Sequence, residues 1–205
     1  MLTQHIEELQ ADLRGLAVHE TALRGLADAV LNSFNTGGKL LTCGNGGSAA
    51  EAAHLAEEFT GRFYRERKSL PGLCLSIDGT LLTCIGNDYG FDEVFARQVH
   101  SLGMPGDVLV VFTTSGNSEN VTRALQAAKE RGLVTGAFLG RTGGQCRGLA
   151  DYEMIVESVS PSSMRVQECH QLMLHALCEH VEVTLLGIGA DVSNGPKSEG
   201  LKTSR

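Results

Sequence analysis

The chain has 205 residues, 42% of them apolar and 20% charged, with a formal net charge of −7. That is enough for one α/β domain with a real core, and an acidic balance without clustered basic residues argues against a nucleic-acid groove. No apolar run approaches the ~20 residues needed to span a bilayer, and the polar, acidic N-terminus is unlike a signal peptide, so a cytoplasmic protein with no membrane partner is expected.

Residues 2–33 read as helical. Leu9, Leu13, Leu16, Leu23, Leu26 and Val30 recur at three- and four-residue spacing, with a break expected near 17–20. From 39 onward, apolar runs alternate with amphipathic segments. The runs are 39-KLLTC-43, 72-GLCLSI-77, 107-DVLVVFTT-114, 133-LVTGAFLG-140 and 152-YEMIVES-158. Helices are expected over 50–65, 92–101 and 117–131, with a short turn near 144–149 and a last long helix over 162–186. Continuous apolar strands separated by helices predict a mostly parallel five-stranded sheet with helices on both faces, a three-layer α/β sandwich preceded by N-terminal helices. The expected single domain covers 1–186, its N-terminal helical segment about 1–36. The tail 187–205, rich in Gly, Ser and Lys and without periodicity, is expected to be disordered. Cys43, Cys74, Cys84, Cys146, Cys169 and Cys178 form no CxxC pair and read as reduced cysteines, several within the core.

Open α/β sheets bind ligands at the carboxyl ends of their strands, and two such ends are chemically distinctive. The first is Gly44-Asn45-Gly46-Gly47-Ser48. The second, 113-TTSGNSEN-120, offers hydroxyls at Thr113, Thr114, Ser115 and Ser118 and opens directly into a helix. Hydroxyls, free backbone N–H groups and a helix N-terminus suit a phosphate dianion without a lysine. Ordinary helix capping accounts equally well for either loop alone. Neither loop is a Walker A sequence, and the first is not GxGxxG, which disfavours a dinucleotide fold.

Behind the first loop, His54 and Glu58 are four apart, so on a helix they lie within ~40° of each other. In the late helix, Gln167, Gln171 and His175 form an i, i+4, i+8 stripe among apolar neighbours. Histidine and carboxylate from one helix, with histidine and glutamine from another, make a four-ligand set suited to zinc or a similar divalent ion. A simple surface His–Glu pair is the competing reading, and His170 and His180 compete with His175.

Five segments occur in an order that resembles a known family: 43-CGNGGS-48, 54-HLAEEFTGR-62, 86-GNDYGF-91, 114-TSGNS-118 and 165-RVQECH-170. Together they look like the sedoheptulose-7-phosphate isomerases, or phosphoheptose isomerases, of the SIS-domain superfamily. The resemblance covers about residues 1–186. It implies zinc, one ion per subunit, on His54, Glu58, Gln167 and His175. It implies substrate contacts at Asn45, Gly46, Gly47, Ser48, Glu58, Arg62, Asn87, Asp88, Thr113, Thr114, Ser115, Ser118 and Gln167. It also implies Glu58 as base, His175 as acid, and a homotetramer with active sites near subunit interfaces. One departure is Met164, which stands where relatives often carry an acidic residue.

The implied reaction converts D-sedoheptulose 7-phosphate to D-glycero-D-manno-heptose 7-phosphate through an enediol. Three rivals stand beside it: an isomerase of another ketose phosphate, a non-catalytic SIS scaffold that binds the replication initiator, and a sugar-phosphate-binding regulatory module. The scaffold relatives typically lack Glu and His at the positions of Glu58 and His175. A regulatory module needs the loops but no acid–base pair.

Overall fold

The computed structural model describes residues 1–158 and 162–187. The N-terminal segment is two helices, α1 (Leu2–Gly15) and α2 (Glu20–Asn35), joined by a 3-10 turn over Leu16–His19 where the break was expected. Five strands follow: β1 (Leu40–Gly44), β2 (Gly72–Cys74), β3 (Val108–Thr113), β4 (Val134–Gly140) and β5 (Tyr152–Val156). Every pairing is parallel and the spatial order is β2-β1-β3-β4-β5. β1, β3 and β4 are buried along nearly their whole length. This explains their unbroken apolar sequence, since a central parallel strand meets a helix layer on each face.

Alternation along the strands sorts the core into two halves. Leu40, Val108, Val110, Phe112 and Phe138 face α2, α3 (Gly47–Thr60) and α7 (Ser163–Leu185). Leu41, Cys43, Leu109, Val111 and Leu139 face α5 (Ala96–Leu102) and α6 (Glu119–Glu130). On α7 the buried positions Val166, Cys169, His170, Met173, Leu174, Leu177, Cys178 and Val181 keep three- and four-residue spacing, so Gln167, Gln171 and His175 lie along the half-buried flank of that stripe.

The strand order reverses direction between β1 and β3, and these two strands are neighbours in register from Leu40↔Val108 to Gly44↔Phe112. Their carboxyl ends therefore open side by side at the switch point of the sheet, where this class of fold places its ligand.

The structure departs from the sequence reading in several places. The first site helix begins at Gly47, directly after the glycine loop, and not at 50. The segment expected to be one helix over 92–101 is a 3-10 turn, Phe91–Glu93, followed by the shorter α5. The second strand is only three residues long, an edge strand with Leu73 exposed. A further helix, α4 (Gly79–Tyr89), occupies a stretch to which no element was assigned. Asp78 caps it by accepting from the Leu81 N–H at 3.0 Å. Ile85 is its one buried residue, so the helix carries almost no apolar periodicity. The expected disordered tail falls, from 188 on, outside the described residues.

Five of the six cysteines are buried as free thiols, Cys84 being exposed. Burial raises the Cys43, Cys146 and Cys178 thiols above their ordinary range and pushes Cys169 up to about 11, so these groups remain protonated core residues.

Candidate active site

Two loops meet at the switch point. After β1 the chain turns at Gly46, whose φ of +57° is a left-handed conformation that glycine adopts freely, and α3 starts at the next residue. Gly44 has no room for a side chain, since a Cβ there would lie 2.5 Å from the Ser48 carbonyl oxygen. Ser48, only 3% exposed, stands in the first turn of α3.

After β3, the Thr113 hydroxyl accepts from the Gly116 N–H at 3.1 Å and the Ser115 hydroxyl accepts from the Asn117 N–H at 3.2 Å. These bonds shape the loop. Gly116 has φ +67° and packs so closely on the turn at Gly143 that no Cβ fits. Ser118 occupies the N-cap of α6 yet makes no side-chain cap bond, so capping does not account for its hydroxyl. The loops are tied together by a reciprocal amide pair: Asn45 Nδ2 donates to Asn120 Oδ1 at 2.9 Å, and Asn120 Nδ2 donates back at 3.0 Å. Two helix N-termini and a set of hydroxyls thus converge without a cation, an arrangement suited to a phosphate group.

The second half of the site lies between α3 and α7. His54 Nε2 and Glu58 Oε1 are 2.9 Å apart, and the His54 and His175 rings meet edge to face with centroids 5.1 Å apart. One ligand atom from each of His54, Glu58 and His175 can be chosen so that all lie within 4.8 Å of one another. Two imidazoles and a carboxylate at that spacing fit a divalent ion of the zinc class. The competing histidines have other partners. His170 is fully buried, its Nε2 3.2 Å from the Leu139 carbonyl oxygen. His180 sits 2.9 Å from Asp28.

The two glutamines of the α7 stripe take different places. Gln167 lies against Gly47 at the start of α3, its amide filling the space a Cβ on Gly47 would take. Gln171 reaches both histidines, 2.9 Å from His54 Nδ1 and 3.0 Å from His175 Nε2. Spacing set Gln171 on this stripe as one of two candidate glutamines, and the family resemblance selected Gln167. Arg62, Asn87 and Asp88 are not drawn in. Arg62 is exposed and pairs with Glu66 at 3.2 Å, and Asn87 donates to its neighbour Asp88 on exposed α4. Met164 is 39% exposed in the first turn of α7.

Comparison with known proteins follows this geometry. The SIS domain pattern matches residues 4–140. The phosphoheptose isomerase of Aquifex aeolicus is 46% identical over 176 residues, 86% of this chain and 91% of that one. The chain belongs to the phosphoheptose isomerase family. Solved family structures agree with its fold. The phosphoheptose isomerase of Neisseria gonorrhoeae superposes with a TM-score of 0.80 at 40% identity, over 88% of this chain and 96% of that one. The enzyme of Francisella tularensis gives 0.82 at 34% identity, over 88% and 95%.

One interaction that sequence reasoning missed holds the two family helices together. The Arg67 side chain is buried, and its Nε donates to Glu182 of α7 at 3.2 Å. The same guanidinium donates to the Phe59 and Glu58 carbonyl oxygens at 2.9 and 2.6 Å, satisfying acceptors at the end of α3. Glu182 also accepts from the Tyr64 and Arg65 backbone N–H groups. Removing one partner strands a buried charge. Arg67→Met is therefore expected to lower stability by about 3–5 kcal/mol in denaturant unfolding, with Arg67→Met/Glu182→Met losing less. A single variant as stable as the wild type would show that the pair does not hold α3 against α7.

Proposed function

We propose that this chain is a phosphoheptose isomerase that interconverts D-sedoheptulose 7-phosphate and D-glycero-D-manno-heptose 7-phosphate. The observation that carries the reading is the pairing of a cation-free anion cradle with an intact His54–Glu58–His175 cluster in one fold of this family. A scaffold or a regulatory sugar-phosphate module needs no such cluster. The reading makes residues 1–186 one catalytic unit in the cytoplasm, with the tail dispensable. Among the described residues, no helix is long and apolar enough to cross a membrane.

The 7-phosphate lies against Ser48, the 113–118 loop and the N-termini of α3 and α6. The backbone of Gly46 and Gly47 and the side chains of Asn45 and Gln167 line the way toward the sugar. The reaction moves a hydrogen between C1 and C2. Glu58 takes the proton from C1 of the ketose, leaving a cis-enediolate, and returns it to C2 to give the aldose. His175 gives a proton to the oxygen that becomes hydroxyl and receives one from the oxygen that becomes carbonyl, so the protein ends as it began. Zinc, one ion per subunit on His54, Glu58 and His175 with Gln167 adjacent, would supply Lewis-acid stabilisation of the charge on the sugar oxygens.

The assembly in this reading is a homotetramer with its active sites near subunit interfaces. Supporting it, Leu73, Ile77, Leu81, Tyr89 and Phe91 expose apolar surface around α4 and the β2 edge, and Leu2 and Ile6 do so on α1. Arg62, Asn87 and Asp88, exposed in the single chain, are then the residues that packing between subunits would bring to a site.

Two variants test the proposal. Ser118→Ala removes a charge-assisted bond to phosphate worth about 1.5–3 kcal/mol, so KM for sedoheptulose 7-phosphate is expected to rise while the fold is unchanged. An unchanged KM would place the phosphate elsewhere. Glu58→Gln, assayed with zinc restored and occupancy measured, is expected to lose ~10²–10⁴-fold in rate and in solvent-deuterium exchange at C1 and C2. A metal-replete variant that isomerises and exchanges at the wild-type rate would remove Glu58 as the base.

A further inference from the structure

The Gln171 carboxamide joins the two histidines of the cluster. It comes from α7, one turn before His175, and crosses to His54 on α3. We propose that Gln171 is a positioning residue that sets the tautomer and ring orientation of His54 for metal binding. The inference rests on the metal reading above.

The argument follows from donor and acceptor roles. An amide nitrogen has two hydrogens to give. Here the Gln171 nitrogen lies within hydrogen-bond distance of His54 Nδ1 (2.9 Å) and His175 Nε2 (3.0 Å). Donation to His54 Nδ1 leaves the ring hydrogen on Nε2, where it points at Glu58 Oε1, 2.9 Å away. All three links are then satisfied at once.

His54 Nε2 faces Glu58, so an ion shared by these two residues needs the Nε2 lone pair. The neutral ring then carries its hydrogen on Nδ1, and that hydrogen needs an acceptor. Metal-bound histidines regularly give their second N–H to such a partner, which fixes the ring. Gln171 can supply one in place. Its terminal amide rotates about a broad, two-fold torsion and presents Oε1 where Nε2 had been. One side chain thus serves both tautomers: donor when His54 Nδ1 keeps its lone pair, acceptor when Nδ1 carries the hydrogen. A hydrocarbon of the same size serves neither. A carboxylate serves only as acceptor.

The test compares full-length wild type, Gln171→Leu and Gln171→Glu. Zinc affinity is measured by competition with a chromophoric chelator. Side-chain nitrogen NMR of the zinc-loaded proteins reports the His54 tautomer, and circular dichroism checks folding. Leucine is expected to weaken zinc binding by about 10–100-fold and to lose the protected Nδ1–H signal of His54. Glutamate is expected to bind zinc at least as tightly as wild type and to keep that signal. Should the leucine variant not fold, the glutamate variant decides by the same two readouts. Leucine with wild-type affinity and an unchanged Nδ1–H signal would overturn the inference, and so would leucine and glutamate weakened alike, which would mark Gln171 as packing only. Wild type that takes up no zinc would be a separate failure, of the metal reading itself and of the inference with it.

Discussion

Arg67 donates to four acceptors through one buried guanidinium: the Glu182 carboxylate on α7, the carbonyl oxygens of Glu58 and Phe59 at the end of α3, and the Lys68 carbonyl oxygen. That geometry fixes how far apart α3 and α7 lie and how each is rotated about its axis. The site depends on both quantities. His54 and Glu58 project from α3, Gln171 and His175 from α7, and they meet only if the two helices present these flanks to each other. The charge is buried close to the core thiol of Cys178, where an unpaired ion would be costly, so the pair and its backbone donors hold together or not at all. Thr42 adds the third direction: its hydroxyl donates to the Ala52 carbonyl at 2.7 Å and anchors α3 over β1.

The other end of the site works by a different physical rule. In the proposed reading, a chain of net charge −7 holds its anion with backbone N–H groups, hydroxyls and two helix N-termini, and with no lysine in either loop. Such donors are fixed by the fold and need little reorganisation when the ligand arrives. The Asn45–Asn120 amide pair keeps the two loops in register with each other, and Gly46 and Gly116 supply the left-handed turns that aim them. Gln167, laid against Gly47, links this end to α7, so the anion cradle and the metal-type cluster share one helix and one frame.

Much of this is written in the sequence, for reasons that can be stated. β1, β3 and β4 are legible because a parallel strand covered on both faces is apolar at successive positions. The His54–Glu58 spacing is legible because side chains four apart share a helix face. Periodicity brought the α7 stripe into view but left the choice among His170, His175 and His180 open, and resemblance to the family selected His175. α4 is hidden because it buries only Ile85 and has no stripe to read. Arg67 and Glu182 are hidden for another reason. A run holding Arg62, Arg65, Arg67 and Lys68 reads as a solvated surface, and nothing local marks which arginine turns inward to meet a glutamate 115 positions later. The Gln171 bridge likewise exists only once two helices are side by side.

The central claim is that α3 and α7 together build a metal-assisted isomerase site facing a phosphate cradle at the β1–β3 switch point. Anomalous diffraction at the zinc edge, from crystals grown with zinc and soaked with sedoheptulose 7-phosphate, tests it most directly. The account predicts one strong anomalous peak per chain between His54, Glu58 and His175, with the sugar phosphate density ending on Ser48 and the 113–118 loop. A peak at other residues, or phosphate density away from those two loops, would contradict it.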